Sequence, residues 1–174
     1  MNVRKIYTQK ISNDLLNSII LLKKSHWNFS YKSQLSWFNK NSFKNDTHFL
    51  FILKKELIGY VHLGERTHLT TNKKNITKRS KYILFRNLII NKKYRNRGIG
   101  SKIMISVNSM LKKIKKKSFL ICKKKAINFY KKNGWLNIEK KKFRIIDHKH
   151  NMYGMTFYDK RNLSDKKYYF YYNK

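Results

Sequence analysis

The stretch Tyr94-Arg95-Asn96-Arg97-Gly98-Ile99-Gly100-Ser101 constrains the fold more than any other. It follows the apolar run Tyr82 to Ile90, which reads as a buried strand. It opens a segment in which Ile99, Ile103, Val107, Met110, Leu111 and Ile114 recur at helical spacing. A strand, a basic glycine turn and a helix start together make an anion site. Backbone N–H groups at a helix N-terminus point toward the ligand, and the helix dipole favours negative charge. Gly98 and Gly100 remove side chains that would hinder a phosphate. The turn is no Walker loop, because no Gly-Lys-Ser/Thr stands at the required spacing. It is no dinucleotide fingerprint either, since the third glycine would fall at Ile103.

The rest of the chain supplies the frame. Asp14 to Leu22 reads as an amphipathic helix capped by Ser12 or Asn13, and Gln34 to Asn39 as a second short helix. Phe49–Leu53 and Leu57–Leu63 are strands joined by Lys54-Lys55-Glu56, a hairpin-length connection. Residues 64–80 are polar and aperiodic and read as a loop. Ser118–Cys122 is the strand after the glycine-turn helix. Trp135 to Glu139 and Met152 to Tyr158 are further strands. The order implies an α/β three-layer domain, a mixed central sheet flanked by helices. The 174 residues contain no linker or internal repeat, so one domain over 1–174 is expected.

The pattern Arg95-x-x-Gly98-x-Gly100 resembles the acetyl-CoA pyrophosphate loop of the GNAT superfamily of N-acetyltransferases. About thirty residues on, Ala126-Ile127-Asn128-Phe129-Tyr130-Lys131-Lys132-Asn133-Gly134-Trp135 resembles the second GNAT motif: a short helix bearing Phe-Tyr, then Gly and an aromatic. The likeness is strongest over 50–158. It implies acetyl-CoA as co-substrate, no metal, and direct transfer of the acetyl group to a primary amine. The pyrophosphate would rest on the amides of Asn96, Arg97, Gly98, Ile99, Gly100 and Ser101, with Arg95 and Arg97 adding charge. Arg95 also reads as a solvated surface arginine. The pantetheine arm would lie along Leu88, Ile89 and Ile90, beside Phe129, and Tyr130 would act as general acid toward the departing sulfur.

The general base departs from the family pattern. Many GNAT enzymes carry a glutamate on the acetyl-CoA strand or the next, yet Tyr82–Ile90 and Ser118–Cys122 contain no carboxylate. The candidates are His62 and Glu65, then His68 and Asp46. Lys123 stands where relatives often have an asparagine that touches the pantetheine arm.

Composition bounds the partners. There are 42 Lys+Arg against 8 Asp+Glu, a formal charge of +34. Such a field attracts nucleic acid without sequence preference and speeds the encounter with anionic acetyl-CoA. It repels polyamines and basic peptides and suits acidic or neutral acceptors, though salt screens it beyond about 8 Å. Amino sugars and macromolecular amines are both consistent acceptors. The alternative reading is a basic RNA- or ribosome-associated binding protein on a GNAT fold with little or no catalysis. The lone Cys122 excludes an internal disulfide and fits a reducing, cytoplasmic setting. Leu15 to Leu22 is too short to span a membrane. His148-Lys149-His150 lacks a third metal ligand at useful spacing. The aromatic tail Tyr168-Tyr169-Phe170-Tyr171-Tyr172 reads as a final strand on the sheet rather than a base-stacking surface. Oligomeric state is not legible from the sequence.

Overall fold

The computed structural model describes residues 1–71, 78–147, 151–157 and 167–172. In chain order the elements are β1 (Asn2–Tyr7), α1 (Asn13–His26), α2 (Tyr31–Asn41), β2 (Thr47–Leu53), β3 (Glu56–Thr71) and β4 (Lys78–Ile90). Then follow α3 (Ile99–Ile114), β5 (Ser118–Cys122), α4 (Ile127–Lys132), β6 (Leu136–Ile138), β7 (Phe143–Ile145), β8 (Tyr153–Phe157) and β9 (Lys167–Phe170). The class is mixed α/β, as the sequence implies, with parallel and antiparallel strand pairs. The chain forms two compact units, residues 1–64 with 86–106 and residues 65–85 with 107–174.

The first unit has the strand order β1-β2-β3-β4. β1 pairs antiparallel with β2, and β2 with β3. The β2–β3 connection is tighter than expected, because Glu56 already belongs to β3. Lys54 and Lys55 both take left-handed backbone angles, φ 47° and 66°. Two left-handed residues match the right-handed twist of a hairpin. α1 begins at Ser12, whose Oγ accepts from the Leu15 amide at 3.4 Å, with Asp14 in its first turn and Lys23, Lys24 and His26 in its last. Both charge placements suit the helix dipole. Ile6, Ile19, Ile20, Leu22, Phe38, Leu50, Tyr60 and Ile89 form the core of this unit. Each large aliphatic there contributes about 1.5–3 kcal/mol by leaving water. Gly59 lets α3 approach β3: a Cβ at Gly59 would stand 2.6 Å from Ile103 Cδ1 and 3.3 Å from Phe51 Cβ.

In the second unit β4 runs parallel to β5, and β5-β8-β6 continue antiparallel. β9 pairs antiparallel with β3, from His68–Phe170 to Thr71–Lys167, and parallel with β7. Its core joins Tyr82, Leu84, Phe119, Ile138, Phe143, Ile145, Tyr168 and Phe170. The Phe119 and Phe170 rings stack at 3.7 Å. The tail is therefore a strand, as expected, through Phe170.

Four expectations change. Residues 64–71 and 78–80 are strand, not loop. Their polar side chains misled the period because Arg66, Thr67 and His68 are buried. Arg66 is satisfied there, with Nε donating to the Tyr172 carbonyl at 3.1 Å. β1 and β7 were not expected: β1 buries only Ile6 of six residues, and β7 is three residues long. Ile114, expected on the buried stripe of α3, is exposed at the helix end, while Met104 is buried beside Ile103, Val107 and Leu111. The strand expected over Trp135–Glu139 is confined to Leu136–Ile138. His148, Lys149, His150 and Tyr158 lie outside the described residues.

Candidate active site

In the first unit, the β4-to-α3 turn is built from backbone angles that most residues avoid. Asn91 closes β4: its amide donates to the Ile58 carbonyl at 2.8 Å, and its Oδ1 accepts from the Lys93 amide at 3.1 Å. Glu56 braces the turn from β3, accepting from Asn91 Nδ2 at 2.9 Å and from the Tyr94 hydroxyl at 2.6 Å. Arg95 ties both sides together. Its Nε donates to the Ile90 carbonyl at 3.0 Å, and an Nη lies 2.8 Å from His26 Nδ1 at the end of α1. Asn96 and Gly98 then turn left-handed, at φ 59° and 71°. The Gly98 carbonyl receives the first helical bond, from the Lys102 amide at 3.2 Å. The amides of Ile99, Gly100 and Ser101 thus precede any intrahelical partner. The first turn of α3 holds no acidic side chain to occupy them. A Cβ built at Gly98 meets nothing within 4 Å, so the ground above the turn is open to a ligand.

β4 itself is bent. Asn87 stands at φ 56°, a left-handed residue inside a strand, and its buried Nδ2 has no hydrogen-bond partner among the described residues. Pairing of β4 with β5 runs through Ile83–Ser118 and Leu84–Phe119. Leu88, Ile89 and Ile90 follow the bend and lead straight into the turn.

The second unit carries Phe129 and Tyr130 on α4. Gly134, at φ 81°, ends this helix, and the Trp135 amide returns to the Tyr130 carbonyl at 3.1 Å. Trp135 is fixed in turn by its Nε1 donating to Asn108 Oδ1 at 3.1 Å. Tyr130 is 9% exposed and packs edge-on to Phe85 and Trp135. Burial, then the neighbouring Cys122 and Tyr172, push its phenol well above the usual tyrosine range. Cys122 is buried too, and burial pushes its thiol up to about 11.

The two base candidates have different surroundings. His62 is fully buried, and its Nε2 lies 2.8 Å from Asp46 Oδ2. Its ring stacks on His48 at 4.5 Å. His48 in turn bonds Thr8 Oγ1 at 2.8 Å and the Tyr60 hydroxyl at 2.6 Å. Glu65 is half-exposed and paired with Lys116. Asp46 joins the first set and His68 does not: it packs against Tyr82, Tyr168 and Phe170 in the second unit.

Beside the His48–His62 stack lies a group the sequence did not announce. Lys23 of α1 is 1% exposed, and its Nζ sits 4.0 Å from the centre of the Trp37 ring. Arg86 of β4 approaches the same ring at 5.7 Å and donates to the Asn41 carbonyl at 3.2 Å. The available signal was Lys23 at four residues from Ile19, on the apolar face of α1.

The family model for the GNAT acetyltransferase domain matches residues 44–135, over half of the 174-residue chain. The chain belongs to the GNAT acetyltransferase family. It is therefore an acyltransferase, and the match spans both the β4–α3 turn and the Phe129–Tyr130 helix. No curated protein matches the chain. Among solved structures it is similar to ElaA of Escherichia coli, with TM-score 0.66 and 14% identity over 90% of this chain and 99% of that one. An acyl-CoA N-acyltransferase from Pseudomonas aeruginosa aligns with TM-score 0.64 and 8% identity, over 95% and 98%. The PaiA N-acetyltransferase of Thermoplasma acidophilum, solved with coenzyme A, aligns with TM-score 0.55 and 17% identity, over 90% and 98%. These likenesses carry the GNAT fold. Among the described residues no group of three or more His, Cys, Asp or Glu side chains could hold a metal ion, and no helix is long and apolar enough to cross a membrane.

Proposed function

We propose that this GNAT chain moves an acetyl group from acetyl-CoA to a primary amine by direct attack, the whole chain acting as one acetyltransferase domain. The observation that carries the reading is the β4–α3 turn: left-handed Asn96 and Gly98, three leading helix amides, no acid in the first turn, and open space above Gly98. That is what a pyrophosphate needs. Arg97 adds charge, while Arg95 serves mainly as the brace that shapes the turn. Asn87 Nδ2, without a hydrogen-bond partner among the described residues, offers a donor beside Leu88–Ile90, where the pantetheine arm is assigned.

The neutral amine nitrogen attacks the thioester carbon, the C–S bond breaks, and a thiolate leaves as the nitrogen gives up one proton. Backbone donors near Leu88 stabilise the oxyanion. Tyr130 is assigned to the sulfur together with Phe129. Its raised pKa keeps it a hydrogen-bond donor throughout the working range. Full proton transfer to a thiolate of ordinary pKa near 8.5 runs uphill, so stabilisation of the departing sulfur is its main role. His62, oriented by Asp46, and Glu65 are the two proposed proton acceptors. One buried thiol and no disulfide fit a cytoplasmic enzyme.

The formal charge of +34 favours a second reading, a basic RNA- or ribosome-associated module on this fold. Calorimetry with acetyl-CoA at moderate salt separates them, with Gly98→Glu as control and RNA as competitor. Saturable binding lost in the variant and not matched by RNA supports the enzyme. Binding that any polyanion displaces equally leaves the binding module.

A further inference from the structure

We infer that Asn87, the left-handed residue inside β4, is a further catalytic residue: its side-chain Nδ2 donates to the thioester carbonyl oxygen of bound acetyl-CoA. The inference rests on the acetyltransferase reading and adds a side-chain donor to the backbone donors near Leu88.

The bend itself does not need an amide. Asn87 stands at φ 56°, an angle that glycine adopts without steric cost. Asparagine tolerates it too, but brings a donor into the interior of the first unit. Nδ2 of Asn87 is buried and has no hydrogen-bond partner among the described residues. A buried N–H left unmet is costly, and native chains rarely keep one without a use. A ligand oxygen removes that cost. The donor is neutral, which suits an oxygen that is neutral in the thioester and anionic after attack.

The position fits the thioester rather than another part of the cofactor. The glycine turn folds back on the end of β4, where Arg95 Nε reaches the Ile90 carbonyl at 3.0 Å. From its phosphate ester oxygen to its sulfur the pantetheine arm has about twelve bonds, the equivalent of about four residues of backbone, and extends over roughly 14 Å. Asn91, just after β4, and Asn87 are 91 − 87 = 4 residues apart, about 13 Å along a strand. An arm laid back along β4 from the turn therefore ends with its sulfur at Asn87. Burial of the strand breaks at the same point. Tyr82 to Arg86 are all buried, whereas Asn87 and Leu88 are half-buried. β5 takes its β4 partners at Ile83 and Leu84, before the bend. The terminal torsion of asparagine is soft, so the amide swings toward a ligand lying there without moving the backbone.

When the amine adds to the carbonyl carbon, the C=O π pair moves onto the oxygen. The Nδ2–H group holds that charge until the pair returns, the C–S bond breaks and the thiolate leaves. The amide keeps its own proton throughout.

The test uses the full chain and acetyl-CoA labelled with carbon-13 at the carbonyl, without an acceptor. Calorimetry gives the affinity, and isotope-edited infrared difference spectra give the carbonyl stretch of the bound thioester. Asn87→Gly keeps the left-handed bend and removes the donor. Asn87→Asp keeps the bend and the shape and replaces the donor with an acceptor. Each is checked for folding by circular dichroism. Donation weakens the C=O bond, so the bound stretch is expected at lower wavenumber in wild type than in either variant. Affinity should fall by no more than about tenfold in Asn87→Gly, the size of one neutral hydrogen bond. A residue that only shapes the strand would leave the stretch of Asn87→Gly where wild type has it, and that result overturns the inference. If Asn87→Gly does not fold, an unmoved stretch in Asn87→Asp overturns it equally. Either result, with acetyl-CoA bound, leaves the acetyltransferase reading standing. A wild type that does not bind acetyl-CoA sinks that reading and the inference with it.

Discussion

Lys23→Met should stabilise the protein, and by an amount that depends on pH. Burial, then Arg86, lower the ammonium from its ordinary 10.5 to about 7. Below pH 7 folded and unfolded chains both carry the proton, and the folded chain bears the whole cost. Between 7 and 10.5 the folded chain has lost the proton and the unfolded chain keeps it, so stability rises with pH. At about 1.4 kcal/mol per pH unit, the full cost is on the order of 4–5 kcal/mol. The Trp37 ring at 4.0 Å returns about 2 kcal/mol of it while the lysine is charged. Methionine keeps the aliphatic stem and removes the charge, which leaves an expected gain of about 2–3 kcal/mol at pH 7. For a chain of this length that is roughly 5–10 °C in Tm. At pH 10 most of the cost has gone from the wild type, and the gain should shrink to about 1 kcal/mol. Urea unfolding of both proteins at pH 7 and pH 10, followed by circular dichroism, measures the difference directly. The rest of the charge is common to both proteins and cancels in the comparison. A variant less stable than wild type at pH 7, or a gap that does not narrow by pH 10, would refute the reasoning.

Other outcomes follow from the same contacts. His48 is held down to about 3 from 6.5, so the folded chain refuses a proton that the unfolded chain accepts; stability should fall as pH drops from 6.5 toward 3, by up to about 4 kcal/mol, with a flatter acid profile in His48→Gln. Gly98→Ala forces an L-residue to φ 71° and should cost about 1–2 kcal/mol by urea unfolding with no packing clash; a neutral result would mean the turn relaxes. His62→Gln and Glu65→Gln separate the two proton acceptors: loss of the acidic limb of the kcat/KM profile, with about a hundredfold lower rate, should appear in only one of them.

Much of this architecture was legible because it rests on local signals. Ser12 ahead of a periodic stretch, a basic glycine turn after Tyr82–Ile90, and Gly134 before Trp135 each combine a backbone demand with the residue that meets it. What escaped was satisfied at long range. Arg66 is interior because a carbonyl more than a hundred residues away receives it, and no window over 64–71 contains Tyr172. β1 shows almost no alternation because it is an edge with one buried side chain. The same holds for the candidate site. The glycine turn stood out, whereas Lys23 and Arg86 vanish among 42 Lys+Arg and matter only because α1, α2 and β4 bring them to Trp37. His62 could be suspected from its type, but its partnership with Asp46 depends on β2 and β3 pairing in one register.

The pairing of β9 with β3 also sets a timetable for synthesis. Residues His68 and Phe170 are partners across 170 − 68 = 102 positions. A ribosome adding about 5–20 residues per second needs roughly 5–20 s to cover that interval. Once made, Tyr82 and Leu84 for most of it and Phe119 for its second half await Tyr168 and Phe170, the rings that complete their cluster. The nascent second unit therefore presents sticky aromatic surface for seconds, time enough for holdase chaperones to engage it. Messages truncated before codon 167 should yield chains that are cleared rather than folded.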